Sequence, residues 1–336
     1  MLSKEELEEI LYIALKTGGD FAEIFIEEVD ATSIVFEEGK IDKIISGIDA
    51  GGGVRIISGR ESAYAASKDI TFNSLAEAAE RARASISGTS KKINIELKLQ
   101  LSNLTFPIKR RPNEVSIEEK INVIERADKV ARSYGERIKQ VLVRYSDVNQ
   151  GVTIANSKGI YIEDNRIRTR FFINVIAEKD GILQTGTEGP GGISGFELFE
   201  EYPADIISAL ATERAIMMLD APLAPTGLLP VILSSEAGGT MIHEACGHAL
   251  EADFIMKGTS IFANKIGEKV ASSLITVVDD ATLPKNLGSM RFDDEGTEGG
   301  RTILIEDGIL KGFLSDYFTS KAVSYTHLRA HETGRN

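Results

Sequence analysis

The stretch FAEIFIEEVDATSIVFEEGKIDKIISGIDAGGGVRIISGRESAYAA, Phe21 to Ala66, alternates apolar and polar residues in short runs. Its pieces AEIFIEEV, TSIVFEEGKIDKIISG, GVRIISG and ESAYAA are separated by Gly- or Asp-containing turns, a period-two pattern that predicts an antiparallel meander. Helices are predicted on both sides of it. Ser3 followed by Glu6 is a capping-box pair, after which Leu7, Ile10, Leu11 and Leu15 fall on one helix face that ends near Thr17-Gly18-Gly19. A second helix is expected from about Ser74 to Ile86. Helix plus antiparallel sheet makes residues 1–100 an α+β domain.

The same grammar recurs downstream. LSNLTFPIKRRPNEV reads as a linker, with Lys109-Arg110-Arg111 as a short solvated basic run. Ser116 and Glu119 form another capping box, and Ile117, Ile121, Ile124 and Ala131 stripe a helix that stops around Gly135. Alternating segments follow: RIKQVLVRYSD, QGVTIANSKG, IYIEDNRIRTRFFINVIAEKDG and ILQTGTEG. Residues 110–220 are therefore a middle α+β domain. The glycine cluster Gly186 to Gly195 lacks the lysine and the following Ser/Thr of a phosphate loop and is expected to be a turn. Pro203 opens a helix, and the proline-rich PLAPTGLLP that follows it marks the clearest boundary. Beyond it, PVILSS is expected as a short buried strand leading into Glu236-Ala237-Gly238-Gly239 and a third α+β unit, residues 228–322.

Composition narrows the function. The 336 residues are 42% hydrophobic and 26% charged, ordinary for a globular protein of more than one domain. With 38 basic against 51 acidic residues the net charge is −13, which disfavours nucleic acid and anionic membrane surfaces as partners. No apolar run approaches the ~20 residues of a membrane helix, and the N-terminus MLSKEELEEI is too acidic for a signal peptide, so a cytoplasmic protein is expected. The single cysteine, Cys246, excludes an internal disulfide and fits a reducing compartment.

Thr240 to Phe254, TMIHEACGHALEADF, carries the chemistry. His243, Glu244 and His248 are residue types that together hold a metal ion and activate water, but the histidines stand five apart rather than in an H-E-x-x-H arrangement. On a regular helix that separation turns the rings about 140° away from each other, which spoils joint ligation. A π-type turn would bring them to one side, and the small residues Ala245, Cys246 and Gly247 leave room for one. Glu244 is placed to take a proton from water that zinc has acidified to a pKa of about 7. The bland alternative is a buried helix with two satisfied histidines. Cys246 reads as a small core residue rather than a ligand. Glu251 and Asp253 either orient a ligand imidazole or form a solvated charge pair. The acidic stretches FDDEGTEGG (Phe292–Gly300) and VVDDATLP (Val277–Pro284) lack EF-hand spacing and are expected as solvated loops rather than calcium sites.

HEACGHALEADF, with KGTSIFANKIGEKVASSLITVVDDATLP downstream and RFDDEGTEGGRTILIEDGILKGFLSDYFTS beyond it, resembles the TldD/PmbA family of metallopeptidases, in its motif-bearing TldD branch, from Leu2 to about Ser320. The resemblance implies zinc held by His243 and His248, with Glu244 catalytic. It also implies cytoplasmic cleavage of unfolded peptides or leader segments held as an added strand, and a dimer with a motif-less PmbA/TldE-like paralogue or with a second copy.

The family's third zinc ligand is a cysteine well past the motif, and Cys246 is the only cysteine here. The last residues, VSYTHLRAHETGRN (Val323–Asn336), contain His327 and His331 followed by Glu332. They break off family-like sequence in mid-element and resemble translated sequencing-adapter readthrough, so residues 323–336 are read as a non-native tail and the catalytic domain as truncated. A chain so truncated is expected to be poorly active. A peptide-binding subunit without hydrolysis, and hydrolysis of a non-peptide substrate, are the competing readings.

Overall fold

The computed structural model of the chain describes residues 2–86 and 94–322. The tail pair His327 and His331, with Glu332, lies outside the described residues. Helices and antiparallel strands build an α+β structure, as the alternating patterns predict. Helix α1 (Lys4–Leu15) opens on the complete capping box: Ser3 accepts from the Glu6 N–H and Glu6 accepts from the Ser3 N–H. The meander has fewer breaks than expected. It is three strands, β1 (Phe21–Glu37), β2 (Lys40–Ser58) and β3 (Glu61–Ser67). Glu38 and Gly39 make the first turn with φ of 53° and 73°, whereas Gly51, Gly52 and Gly53 stay extended because β1 pairs with them.

The chain continues through α2 (Phe72–Ala84), β4 (Lys98–Leu99), α3 (Ile117–Arg132), β5 (Ile138–Asn156), β6 (Ile160–Lys179), β7 (Ile182–Glu188), β8 (Gly191–Gly192), α4 (Leu198–Glu201) and α5 (Ala204–Leu219). The second capping box is only half made. Ser116 accepts the Glu119 N–H at 3.2 Å, but the Glu119 carboxylate turns to Arg110, which donates to both oxygens at 2.6 and 2.5 Å. The basic run is solvated, as expected, and is also anchored through Arg110. Glu197 reinforces it by accepting the N–H groups of Lys109 and Arg110 at 3.2 and 3.0 Å.

The regions before and after residues 100–110 keep separate helical cores but share one sheet. Its order is β3-β2-β1-β5-β6-β4, with β7 and β8 also on β6. β1 and β5 run antiparallel from Glu23↔Asn156 to Glu37↔Leu142. Side chains of one face of β1 fill both helical cores: Ala22, Ile24 and Ile26 pack with α1 and α2, and Ile34 and Phe36 pack with α3 and α5. Within the second core, Lys120 pairs with Asp147 at 2.6 Å, both side chains 4% exposed. The glycine cluster is a seat for backbone more than a turn. A Cβ on Gly186 would lie 2.0 Å from the Ala211 carbonyl oxygen of α5, and one on Gly192 would lie 2.1 Å from that of Lys285.

The opposite face of the sheet carries the C-terminal region, comprising α6 (Ser235–Ile242), α7 (Ala252–Met256), β9 (Val277–Asp280), β10 (Arg301–Glu306), β11 (Ile309–Leu310) and α8 (Tyr317–Ala322). Phe21 and Ile57 stack against Tyr317, while Ile154 and Ile162 cover Phe292. Between these contacts Arg55 bonds Glu23 at 2.6 Å and also Glu295. The acidic stretches are thus structural rather than solvated. Asp293 is 4% exposed and accepts the N–H groups of Glu295 and Thr297 at 2.9 and 2.8 Å, and VVDD forms β9 beside β10. PVILSS also departs from expectation. It forms no strand, and Val231 and Ile232 are exposed, because no described strand lies beside it to complete a ladder. No described helix is long and apolar enough to cross a membrane.

Burial pushes the Glu23 carboxyl up to about 8, Glu295 and Asp293 adding to the rise and Arg55 opposing it. Burial likewise pushes Asp293 up to about 7. Both folded values lie above the ordinary carboxyl values of 4.5 and 3.8, so the stabilising contribution is full below those values and is lost as pH rises through about 7 and 8. The urea midpoint is therefore expected to fall between pH 5 and pH 9, and Glu23→Gln is expected to flatten that fall; equal slopes in the two proteins would refute the assignment.

Candidate metal centre

Helix α6 starts after Ser234 and runs directly into His243. From His243 to Gly247 the backbone is π-helical, with the His248 N–H bonded to the His243 carbonyl five residues back. This widened turn cancels the angular mismatch of the five-residue spacing. The imidazoles come together with ring centroids 4.4 Å apart and planes at 74°. One ligand atom each from His243, Glu244 and His248 lies within 4.8 Å of the others, and all three residues are exposed. Glu244 stands 3.9 Å from the His248 Nε2. No other such group of three donors occurs among the described residues.

The far side of the turn is anchored. Leu250 is fully buried in a core with Phe262, Leu304, Leu310 and Phe313, against which Cys246 and Ala249 also pack. Leu314 donates its N–H to the Leu250 carbonyl at 2.9 Å and accepts the Ala252 N–H at 2.7 Å. Cys246 therefore packs with the core, its thiol directed to the Ile242 carbonyl at 3.3 Å and pushed up by burial. The near side is open: Met241 and Ile242 are both exposed.

The two acids after the motif separate into different roles. Glu251 meets the His248 Nδ1 at 2.8 Å, whereas Asp253 pairs with Lys257 at 2.8 Å. An ionised carboxylate only accepts, so Nδ1 carries the proton and Nε2 is left with its lone pair free to bind a metal. The same bond holds the His248 imidazole above its ordinary range. Glu251 and Asp253 also line a cavity of about 390 Å³ shared with Arg55, Asp293, Glu295 and Asp316. A cavity of about 510 Å³ along Val278–Ser289 contains none of the motif residues.

These donors suit a borderline metal such as zinc, whose bonds of about 2.0–2.1 Å to nitrogen and oxygen require donors closer together than those found here. With His248 held by Glu251, rotation of the exposed His243 and Glu244 side chains about χ1 and χ2 would bring the donors to that spacing. Profiles described as PmbA/TldA metallopeptidase domain 1, central domain and C-terminal domain match residues 22–86, 110–219 and 226–334. The chain belongs to the PmbA/TldD metallopeptidase family. It is 35% identical to a metalloprotease of Methanocaldococcus jannaschii over 94% of this chain and 69% of that protein. It is 34% identical to a metalloprotease TldD homolog of Haemophilus influenzae over 97% of this chain and 72% of the relative. A more distant relative in Saccharolobus solfataricus, 27% identical over 91% of this chain and 67% of its own, is named a zinc metalloprotease TldD homolog. The fold matches a Thermotoga maritima crystal structure with a TM-score of 0.80 at 21% identity, covering 99% of this chain and 74% of the other.

Within this PmbA/TldD chain, nothing in the sequence pattern separated Glu251 from Asp253; only the distance to Nδ1 does. Metal titration is expected to give one divalent site that is abolished in His243→Ala and weakened about 10- to 100-fold in Glu251→Ala, with Glu251→Gln falling between wild type and Glu251→Ala. Unaltered affinity in Glu251→Ala would contradict the positioning role.

Proposed function

We propose that the chain is the zinc-binding, peptide-hydrolysing member of a TldD-type peptidase acting on unfolded peptides or leader segments in the cytoplasm. The observation that carries this reading is the π turn at His243–Gly247, which gathers two imidazoles and a carboxylate on one open surface. In this reading His243 and His248 hold zinc and Glu244 is the catalytic residue. Bound zinc supplies a Lewis acid that polarises a peptide carbonyl and lowers the pKa of water. Glu244 accepts the proton of the attacking water and passes it to the leaving amine. Glu251 keeps the proton of His248 on Nδ1 and so keeps Nε2 available. The open side of the site, past Met241 and Ile242, leaves space for an extended chain, and recognition of peptide backbone rather than side chains fits that breadth.

Cys246, the one cysteine of this sequence, packs against the core and does not join His243 and His248. Cleavage of an unstructured peptide should therefore be measured for the chain alone and for a fusion to the C-terminal segment of a TldD relative, each with zinc content recorded. The fusion is expected to cleave, to stop on chelation, and to lose about 10²- to 10⁴-fold in kcat/KM in Glu244→Gln while retaining its zinc. Zinc retention without cleavage in any form would favour a peptide-binding subunit, and undiminished cleavage in Glu244→Gln would reject the mechanism.

A further inference from the structure

The cavity of about 390 Å³ beside His248 is lined by six acids, Glu251, Asp253, Asp293, Asp294, Glu295 and Asp316, and by one cation, Arg55. It adjoins the metal centre through Glu251, which lines the cavity and also meets the His248 Nδ1 at 2.8 Å. Three of the other acids have a cation of their own: Asp253 has Lys257 at 2.8 Å, Asp294 has Arg166 at 2.6 Å, and Glu295 has Arg55. Arg55, shared between Glu23 and Glu295, stands 4.0 Å from Asp316. Asp293 is left over. It is 4% exposed, its Oδ1 accepts the N–H groups of Glu295 and Thr297, and no described residue donates to its Oδ2 or pairs with its charge. Burial pushes this carboxyl up to about 7, as befits an acid without a counter-charge.

A bare metal ion is a poor occupant for the cavity. Apart from His243, Glu244 and His248, no three His, Cys, Asp or Glu donors among the described residues lie within 4.8 Å of one another, so these carboxylates do not converge on one ion. An organic cation on a flexible stem needs no such convergence. The volume is that of a small-ligand pocket, and Ala252 and Leu314 on its wall offer apolar surface for the stem. We propose that this cavity is a subsite for a cationic group of the peptide substrate, a lysine or arginine side chain or a free α-amine, with Asp293 and Asp316 as specificity-determining residues. The inference takes from the proposed function only that the ligand is a peptide. Because Glu251 borders both sites, a peptide whose cation fills the cavity lies beside the zinc-binding turn.

Fluorescence anisotropy with the intact chain, zinc-free and zinc-loaded, tests this without requiring turnover. The probes are short unstructured peptides, acetylated and amidated, that carry lysine, arginine, norleucine or glutamate at one central position; one further norleucine peptide keeps a free α-amine. A cationic probe is expected to bind about tenfold or more tightly than the blocked norleucine peptide, and the glutamate peptide most weakly. Preference for lysine or arginine assigns the cavity to a side chain, and preference for the free amine assigns it to the substrate's N-terminus. Asp293→Asn keeps the Oδ1 acceptor its loop needs, and Asp316→Asn keeps the acceptor for Thr319; each should remove most of the preference. Asp42→Asn, an exposed acid of β2, changes the net charge equally and should leave the preference intact, which separates the cavity from the general pull of a chain of charge −13. Affinity for the norleucine peptide reports any folding defect in these variants. No preference for a cation, a preference untouched by both cavity variants, or calcium binding that Asp293→Asn abolishes would each overturn the proposal. A cation preference without cleavage in any form would leave the subsite standing and remove the hydrolase reading, whereas cleavage indifferent to the cation would do the reverse.

Discussion

The ladder between β1 and β5 is the contact on which the rest of the molecule depends. It joins two helix-covered regions into one sheet and so gives that sheet two unlike faces. One face is filled by the apolar sides of α1, α2, α3 and α5. The other is left to carry Phe21, Glu23, Phe25, Arg55 and Ile57, which would be a poor surface for water and is instead the floor for the C-terminal region. Arg55 sits at the middle of that floor, shared between Glu23 of the sheet and Glu295 of the overlying loop. A guanidinium has enough fixed donors to serve both carboxyl groups, which an ammonium would do less specifically.

The candidate metal centre inherits its rigidity from this arrangement on one side only. The bonds of Leu314 to Leu250 and Ala252 hold the end of the motif against a small apolar core. Its beginning, on α6, stays exposed. The π turn stands at the junction of these two environments. Its hydrogen bond to the carbonyl five residues back costs some helical regularity, and the small residues Ala245, Cys246 and Gly247 keep that cost low. What it gains is convergence: two rings that an α-helix would splay face a common point, with Glu244 beside them.

Electrostatics around the site is layered. Closest to His248 is Glu251, which fixes the tautomer; beyond it lies an acidic cleft in which most carboxylates already have a partner, Asp253 on Lys257, Asp294 on Arg166 and Glu295 on Arg55. The pairing explains how so many acids sit together in a chain of net charge −13 without forcing the region apart.

By itself the sequence determined the local elements and the spacing of the candidate metal-binding residues. The capping box at Ser3 and Glu6, the stripe Leu7, Ile10, Leu11 and Leu15, and the period-two runs of β1 and β5 were all legible, as was the need for a widened turn between His243 and His248. These features depend on residues within about one or two helical turns or strand repeats of one another, where spacing dictates direction. Tertiary structure alone decided that β1 and β5 are neighbours, that Arg110 takes Glu119 away from its capping box, that Asp293 is buried, that PVILSS stays unpaired, and that Glu251 rather than Asp253 reaches His248. Most of these outcomes turn on partners far apart in the chain, and even the choice between Glu251 and Asp253 turns on where Leu314 pins the backbone. Periodicity tells which face of an element is buried but carries no record of what it is buried against.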